Sequence, residues 1–310
     1  MNKRVKVFGP ATVANVACGF DVLGFPLEGL GDIVSVERNN KKRIIIETIT
    51  GDEGKLSKDI KKNTCGVSIE AYMNHYKINE GVSIYLEKKL PLGSGLGSSS
   101  ASAAASLVGV NMLFEKTNDI RNLIPFAMES EKMASGSAHA DIVAPALLGG
   151  ITLIRSYKPL DILSIPTPSD LICITISPKI SINTKEARKL LPKNITLKEA
   201  TQQWGNLAAT ILGFCKKDYT ILKNSLEDVL IEKYRSKLIP NFSQIKKSAL
   251  ENGAIACSIS GSGPTIFALS NKKDIALKIA QAMELVYQKN KMSYKIHISK
   301  INKKGATIIS

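Results

Sequence analysis

Pro91-Leu92-Gly93-Ser94-Gly95-Leu96-Gly97-Ser98-Ser99-Ser100-Ala101 is the stretch on which the reading of this chain turns. Three glycines alternate with small or apolar residues, and three serines then lead into an alanine-rich run ending at Ala105. Glycine at this density admits positive φ and close approach of the backbone to a ligand. Serines at a helix start stand beside unpaired N–H groups and the positive end of the helix dipole, a setting that favours phosphate. The spacing is not that of a P-loop, because no lysine follows Gly97, nor that of the dinucleotide fingerprint, whose third glycine would come one residue later. The flanks fit a strand, a loop and a helix. Residues 82–87 alternate with period two, and residues 98–114 are rich in Ala and Leu and free of Pro. The first face of that helix is nearly all Ala and Ser, so a neighbouring backbone or a ligand can lie close against it. The loop therefore reads as a holder of polyphosphate.

Working outward, 310 residues suggest two ordinary domains or one large one, and 44% hydrophobic content suffices for real cores. No apolar run approaches membrane-span length, so no membrane partner is expected. The N-terminus enters a strand at once, without the apolar region of a signal peptide. Five cysteines (Cys18, Cys65, Cys173, Cys215, Cys257) are scattered and lack Cys-x-x-Cys spacing. That argues against a disulfide framework or a zinc site, and for a reducing, cytoplasmic setting. The net charge of +15 comes from lysines spread along the chain in pairs, and aromatics are only 5%. A nucleic-acid footprint concentrates basic and aromatic residues on one face, so no nucleic-acid partner is expected. A diffuse positive field would still draw in an anionic nucleotide.

The first half predicts strands at 5–8, 33–37, 43–49, 82–87 and 150–155, with helices at 64–76, 98–114 and 119–133. Residues 157–168 carry three prolines, Pro159, Pro166 and Pro168, and mark the expected boundary between domains 1–156 and 157–310. In the second half a strand at 171–177 precedes several helices, the last near 240–251. Strands at 254–260 and 265–269 flank a Gly261-Ser262-Gly263-Pro264 turn, and a helix at 274–288 and a strand at 293–299 follow. This order, β-α-β-β-α-β, is ferredoxin-like, with extra helices at 198–214 and 217–231 inserted after its first strand.

Three separated motifs coincide: Asn15 with Gly19-Phe20-Asp21-Val22-Leu23-Gly24, the 91–101 loop, and Ser260-Gly261-Ser262-Gly263-Pro264-Thr265. Together they resemble the GHMP kinases, small-molecule kinases that use this glycine loop in place of a P-loop. The segments Ser135-Gly136-Ser137-Ala138-His139-Ala140-Asp141 and Thr184-Lys185-Glu186-Ala187-Arg188 narrow the resemblance to the homoserine kinase branch, over nearly the whole chain. The resemblance implies an α+β, two-domain fold, with an N-terminal domain like ribosomal protein S5 domain 2 and a ferredoxin-like C-terminal domain. It implies transfer of the γ-phosphoryl of ATP to the side-chain hydroxyl of L-homoserine, on the route to threonine, with Mg²⁺ as cofactor and a homodimer as a possible assembly.

By resemblance, residues 91–101 hold the nucleotide and Asn63 lies on its adenine side. Ser99 and Glu131 match the metal ligands, although the sequence leaves the choice among Ser98, Ser99 and Ser100 open. Hard oxygen ligands of this kind suit Mg²⁺. Glu131 and Asp141 are the candidate catalytic carboxylates. An amino acid substrate needs partners of both signs: carboxylates such as Asp21 and Asp141 can hold the ammonium, and Arg188 and Arg235 match the family's carboxylate-binding arginines, with Asn15 and Thr184 as nearby polar contacts. His139 is read as a structural group, since the resemblance argues for no dedicated base. One departure stands out. Homoserine kinases usually carry Asn after the aspartate of the His-x-Asp segment, and here that place is Ile142. Its side chain makes no hydrogen bond, which predicts an active but slow enzyme. Two other readings fit the motifs: a different GHMP kinase acting on a mevalonate-type or sugar alcohol, and a nucleotide-dependent sensor that has lost turnover.

Overall fold

The computed structural model describes residues 4–310. Its first part holds β1 (Val5–Ala14), β2 (Leu23–Asn39), β3 (Ile44–Thr50), α1 (Thr64–His75), β4 (Gly81–Glu87), α2 (Ser98–Phe114), α3 (Ile124–Ser135), α4 (Ala140–Leu148), β5 (Ile151–Tyr157) and β6 (Leu160–Ile165). Then come β7 (Ile172–Pro178), α5 (Thr184–Lys189), α6 (Leu197–Lys216), α7 (Tyr219–Ser225), α8 (Glu232–Arg235) and α9 (Phe242–Glu251). The chain finishes with β8 (Ala256–Ile259), β9 (Ile266–Ser270), α10 (Lys273–Lys289), β10 (Tyr294–Lys300) and β11 (Thr307–Ile308).

The first sheet runs β11-β1-β2-β4-β3, with β5 and β6 continuing from the far end of β2. β1 and β2 are antiparallel over most of their length, with a bulge between Pro10 and Thr12, and β3 lies parallel to β4. Helices α1 to α4 bury this sheet in a core that includes Val7, Val36, Ile69, Tyr72, Ile84, Leu107 and Leu147. The small face of α2 is used as its composition suggests. A Cβ placed on Gly9 of β1 would stand 2.0 Å from the carbonyl oxygen of Ala101, so strand and helix touch backbone to backbone.

The second sheet has the order β10-β7-β9-β8, all antiparallel, with α9 and α10 packed against it. That is the ferredoxin-like arrangement expected of the element order, and α5 to α8 are its insertion. A third core joins the two halves: Leu23, Phe25 and Leu96 meet Phe214, Phe267 and Leu269, with Phe25 and Phe267 edge to face at 6.3 Å.

Several elements differ from the sequence expectations for identifiable reasons. β2 begins ten residues earlier than predicted, because Pro26 and three glycines between Gly24 and Gly31 mask its alternation. The helix expected at 119–133 is a 3₁₀ turn followed by α3, whose start is fixed by Pro125. α4 went unpredicted because it contains Pro145. The helix expected at 217–231 stops at Ser225, and Asp228 then accepts the amides of Leu230, Ile231 and Glu232 in a turn. The division expected at residue 156 falls inside the β5–β6 hairpin, both of whose strands belong to the first sheet, and β11 returns to that sheet from the C-terminus.

Candidate active site

A cleft of about 340 Å³ lies where the glycine loop, the Asn15–Asp21 turn, α5 and the Gly261-Ser262 turn converge. That size suits a small-molecule site. The loop's carbonyls face away from the cleft and are held from both sides. Thr12 donates its amide to Leu96, and Ile182 donates to Gly93. Thr265 gives Ser94 both its amide and its hydroxyl, at 3.1 and 2.6 Å, and Ser260 Oγ donates to Gly95 at 2.7 Å. The amides of Gly93, Gly95 and Gly97 have no acceptor among the described residues. Gly97 is required here: it stands at the N-cap of α2 with φ of 64°, and a Cβ would meet Thr12 Oγ1 at 2.0 Å. Three buried hydroxyls around it, on Thr12, Ser94 and Ser98, also lack partners. Buried donors without acceptors are costly unless a ligand completes them, and an anion with several oxygens is what this cradle can complete.

Beside the cradle, α3 presents Glu131, only 6% exposed. Ser99 Oγ donates to its Oε2 at 3.1 Å and Ser100 Oγ reaches the same atom at 3.4 Å. Burial pushes the Glu131 carboxyl up to about 7 despite these hydrogen bonds. A carboxyl group held this dry, with two serine oxygens against it, is a hard-oxygen donor set of the kind that suits Mg²⁺.

At the far end of the cleft the charges are paired unevenly. Arg188 of α5 forks Asp21, its Nη2 donating to Oδ2 at 2.6 Å and its Nη1 to Oδ1 at 3.3 Å. His139 Nε2 lies 2.9 Å from Arg188 Nη1, and a guanidinium only donates, so Nε2 accepts and the ring proton sits on Nδ1 toward Asp21. Burial lowers the His139 pKa, with the two arginines adding to it against the pull of Asp21, so the ring is neutral. Asp141, in the first turn of α4, is 3% exposed, and burial, with Asp21 and Glu131 adding repulsion, pushes its carboxyl up to about 8. Arg235 is equally buried. Its Nη1 donates to the Gly261 carbonyl at 2.8 Å, its Nε has no partner, and burial lowers its pKa. Phe20 lies beneath both guanidiniums, its ring centre 5.6 Å from Arg188 and 5.0 Å from Arg235.

Most residues expected of the site therefore line one cleft: Asn15, Asp21, Asn63, Glu131, Asp141, Thr184, Arg188 and Arg235, with Leu92 to Gly95 and Gly97 to Ser99 of the loop. Pro91, Leu96, Ser100 and Ala101 lie off it. Leu96 and Ala101 belong to the core between the halves, Ser100 turns toward Glu131, and Pro91 is exposed. Asn15 donates to the Gly261 carbonyl and accepts the Asp21 amide, which sets the turn carrying Asp21. Thr184 Oγ1 is 3.2 Å from Ser262 Oγ. The Asn63 amide is spent within the protein, capping α1 through the Cys65 amide and donating to the Ser57 carbonyl. Sequence reasoning missed Lys88 and Ser102, which also line the cleft, because a lysine following an alternating strand reads as solvated.

The chain matches the GHMP kinases N terminal domain over residues 63–150 and GHMP kinases C terminal over residues 210–289. It is 45% identical to the homoserine kinase of Chlorobium phaeobacteroides (strain BS1), across 99% of this chain and 100% of that one. The homoserine kinase of Chlorobaculum tepidum is 42% identical across 99% of each. The crystal structure of homoserine kinase from Cytophaga hutchinsonii superposes with a TM-score of 0.97 at 47% identity, covering 100% of this chain and 98% of that one. Likeness of this extent, over both sheets and the cleft between them, places the chain in the homoserine kinase family of the GHMP kinases.

Proposed function

We propose that this protein transfers the γ-phosphoryl group of ATP to the side-chain hydroxyl of L-homoserine. The observation that carries this reading is the charge layout of the cleft. Unpaired amides and hydroxyls stand at one end, and two carboxylates with two guanidiniums stand at the other. The loop amides, with the hydroxyls of Ser94 and Ser98, bind the β- and γ-phosphates. Glu131 and Ser99 would hold Mg²⁺, which when bound neutralises phosphate charge. Arg235 and Arg188 take the substrate carboxylate, and Asp21 and Asp141 take its ammonium. Held so, the hydroxyl oxygen forms the new P–O bond as the bond to the β-phosphate oxygen breaks. The cleft residues contribute position and charge, which is most of what phosphoryl transfer asks of a protein. No side chain is assigned as a base, since His139 Nε2 is engaged with Arg188 and the proton passes to the transferred phosphate. A turnover assay with Mg-ATP and L-homoserine, L-threonine, L-serine or mevalonate tests the reading. Phosphohomoserine as the main product is expected, and equal turnover of mevalonate would overturn it.

Asp141 makes homoserine binding pH-dependent. In the free site its carboxyl, raised to about 8, is largely protonated at neutral pH, whereas an ammonium ligand needs it ionised. Homoserine binding to the nucleotide-free protein is therefore expected to tighten about tenfold per pH unit as pH rises toward about 8, then level off. Asp141→Asn should flatten the profile, which calorimetric titration at several pH values reads.

Ile142 lines the cleft beside Gly97 and presents only carbon to the reacting groups. Ile142→Asn is expected to raise kcat by about tenfold, the value of roughly one hydrogen bond of 1–2 kcal/mol in the transition state. An unchanged or lower kcat in a folded variant refutes this. A second copy of the chain would find its best seat on α6, where residues 200–215 carry no charge and Leu197, Trp204 and Leu212 are exposed. Sedimentation of Trp204→Glu against the unaltered protein tests that assembly.

A further inference from the structure

The glycine loop is closed at its base by a buried ion pair that neither the motifs nor the proposed chemistry account for. Lys88 lies at the loop's entry, after β4, and its side chain is 2% exposed. Its ammonium donates to the Asp32 carboxylate, to the Ser98 carbonyl at 2.9 Å and to Ser102 Oγ at 2.9 Å, so all three protons are used. Asp32, fully buried in β2, is saturated in turn. Its Oδ1 accepts the amides of Lys89 and Leu90, at 2.9 and 3.0 Å, and its Oδ2 accepts Ser102 Oγ at 2.9 Å besides Lys88. One cluster thus grips residues 88–90, where the chain enters the loop, and Ser98 and Ser102, where it leaves into α2.

We infer that Lys88 and Asp32 are positioning residues for nucleotide binding: they fix the two ends of the 91–97 loop so that its amides face the phosphates before any ligand arrives. This rests on the reading of that loop as the phosphate site. An apolar pair of similar volume in this place would serve stability equally well or better, whereas only a group with several directed donors can tie a carbonyl, a hydroxyl and a carboxylate together. The Lys88 stem and Ser102 also form part of the cleft wall near Asn63 and Leu86, so the brace touches the cavity it shapes.

Lys88→Met, and the double variant Lys88→Met/Asp32→Asn, test the inference. The double variant removes the unpaired charge that the single one leaves buried, while the carboxamide oxygen put in place of the Asp32 carboxylate still accepts the Lys89 and Leu90 amides. In the folded double variant, KM for ATP and the dissociation constant of a nonhydrolysable ATP analogue are expected to rise at least tenfold, with KM for homoserine unchanged. A merely structural pair would lower the folded fraction and leave both constants as they were, and that result overturns the inference. Should neither variant fold, Ser102→Ala, which deletes one hydroxyl of the brace, is expected to weaken analogue binding about threefold, and binding equal to that of the unaltered protein overturns the inference. Absence of homoserine turnover in the unaltered protein would instead count against the proposed acceptor, while analogue binding would still decide the role of the pair.

Discussion

Glu131→Gln is expected to lose about a thousandfold in kcat while the fold holds, a cost of about 4 kcal/mol at the transition state. Glutamine keeps the shape of the side chain and can still accept from Ser99 and Ser100, the two hydroxyls that now meet Oε2. What it lacks is the charge, and the proposed role of Glu131 is to hold a divalent cation against the phosphates with that charge. Stability should move the other way. Burial raises the Glu131 pKa from 4.5 to about 7, so the folded protein binds a proton there more tightly than the unfolded chain does. Such a group contributes stability at low pH that is lost as pH rises from about 4.5 through about 7, on the order of 3 kcal/mol in all. The variant has no such loss, so its melting temperature should exceed that of the unaltered protein at pH 8 and fall below or match it at pH 5. A kcat within tenfold of the unaltered enzyme at saturating Mg²⁺ would remove Glu131 from the metal site.

The phosphate cradle was readable from sequence because its conformation demands composition. Backbone at positive φ needs glycine, and a helix backed against a strand's main chain needs Ala and Ser, so both demands leave marks in consecutive residues. The ferredoxin-like half was readable because its β-α-β-β-α-β order survives around the helices inserted after its first strand. What escaped depends on partners far away in the chain. Lys88 meets Asp32 only because β2 and β4 pair with Ile33 opposite Glu87, and nothing local in either segment announces that register. β6 and β11 are edge strands, defined by a neighbour on one side only, and their own sequences carry weak alternation. α4 runs against the usual rule by carrying Pro145 inside the helix, so its sequence reads as a break. The site residues divide in the same way. Asp21 and Arg188 stand in motifs, but the contact between them, across 167 positions, is a product of the tertiary fold.

Arg235 shows that division most sharply and carries the other large expected effect. In sequence it is the end of Lys233-Tyr234-Arg235, outside the matched motifs, and only the family resemblance separates it from a surface arginine. In the fold it is 3% exposed on the four-residue helix α8, with one hydrogen bond to a carbonyl and no carboxylate in ion-pair contact among the described residues. Removing a guanidinium from water with no carboxylate in hydrogen-bond contact is destabilising, and burial lowers the pKa of Arg235 even though the nearby Asp21 pulls it up. Arg188, by contrast, already has Asp21. The two arginines should therefore respond in opposite ways to the same change. Arg235→Met fills much of the volume with an apolar chain, removes a buried cation that has no ion-pair contact, and is expected to leave the melting temperature of the ligand-free protein equal or higher. The same change should raise KM for homoserine by a hundredfold or more, since a buried charge pair with the substrate carboxylate is lost, at about 3 kcal/mol or above. Arg188→Met should lower both stability and affinity, because it strands Asp21. Thermal melts of the ligand-free proteins beside homoserine kinetics separate the cases. A destabilised Arg235→Met with unchanged KM would make this arginine a support of the Gly261 turn, whereas a stable protein that no longer binds homoserine would mean that the fold keeps an unpaired charge in its interior for the substrate to complete.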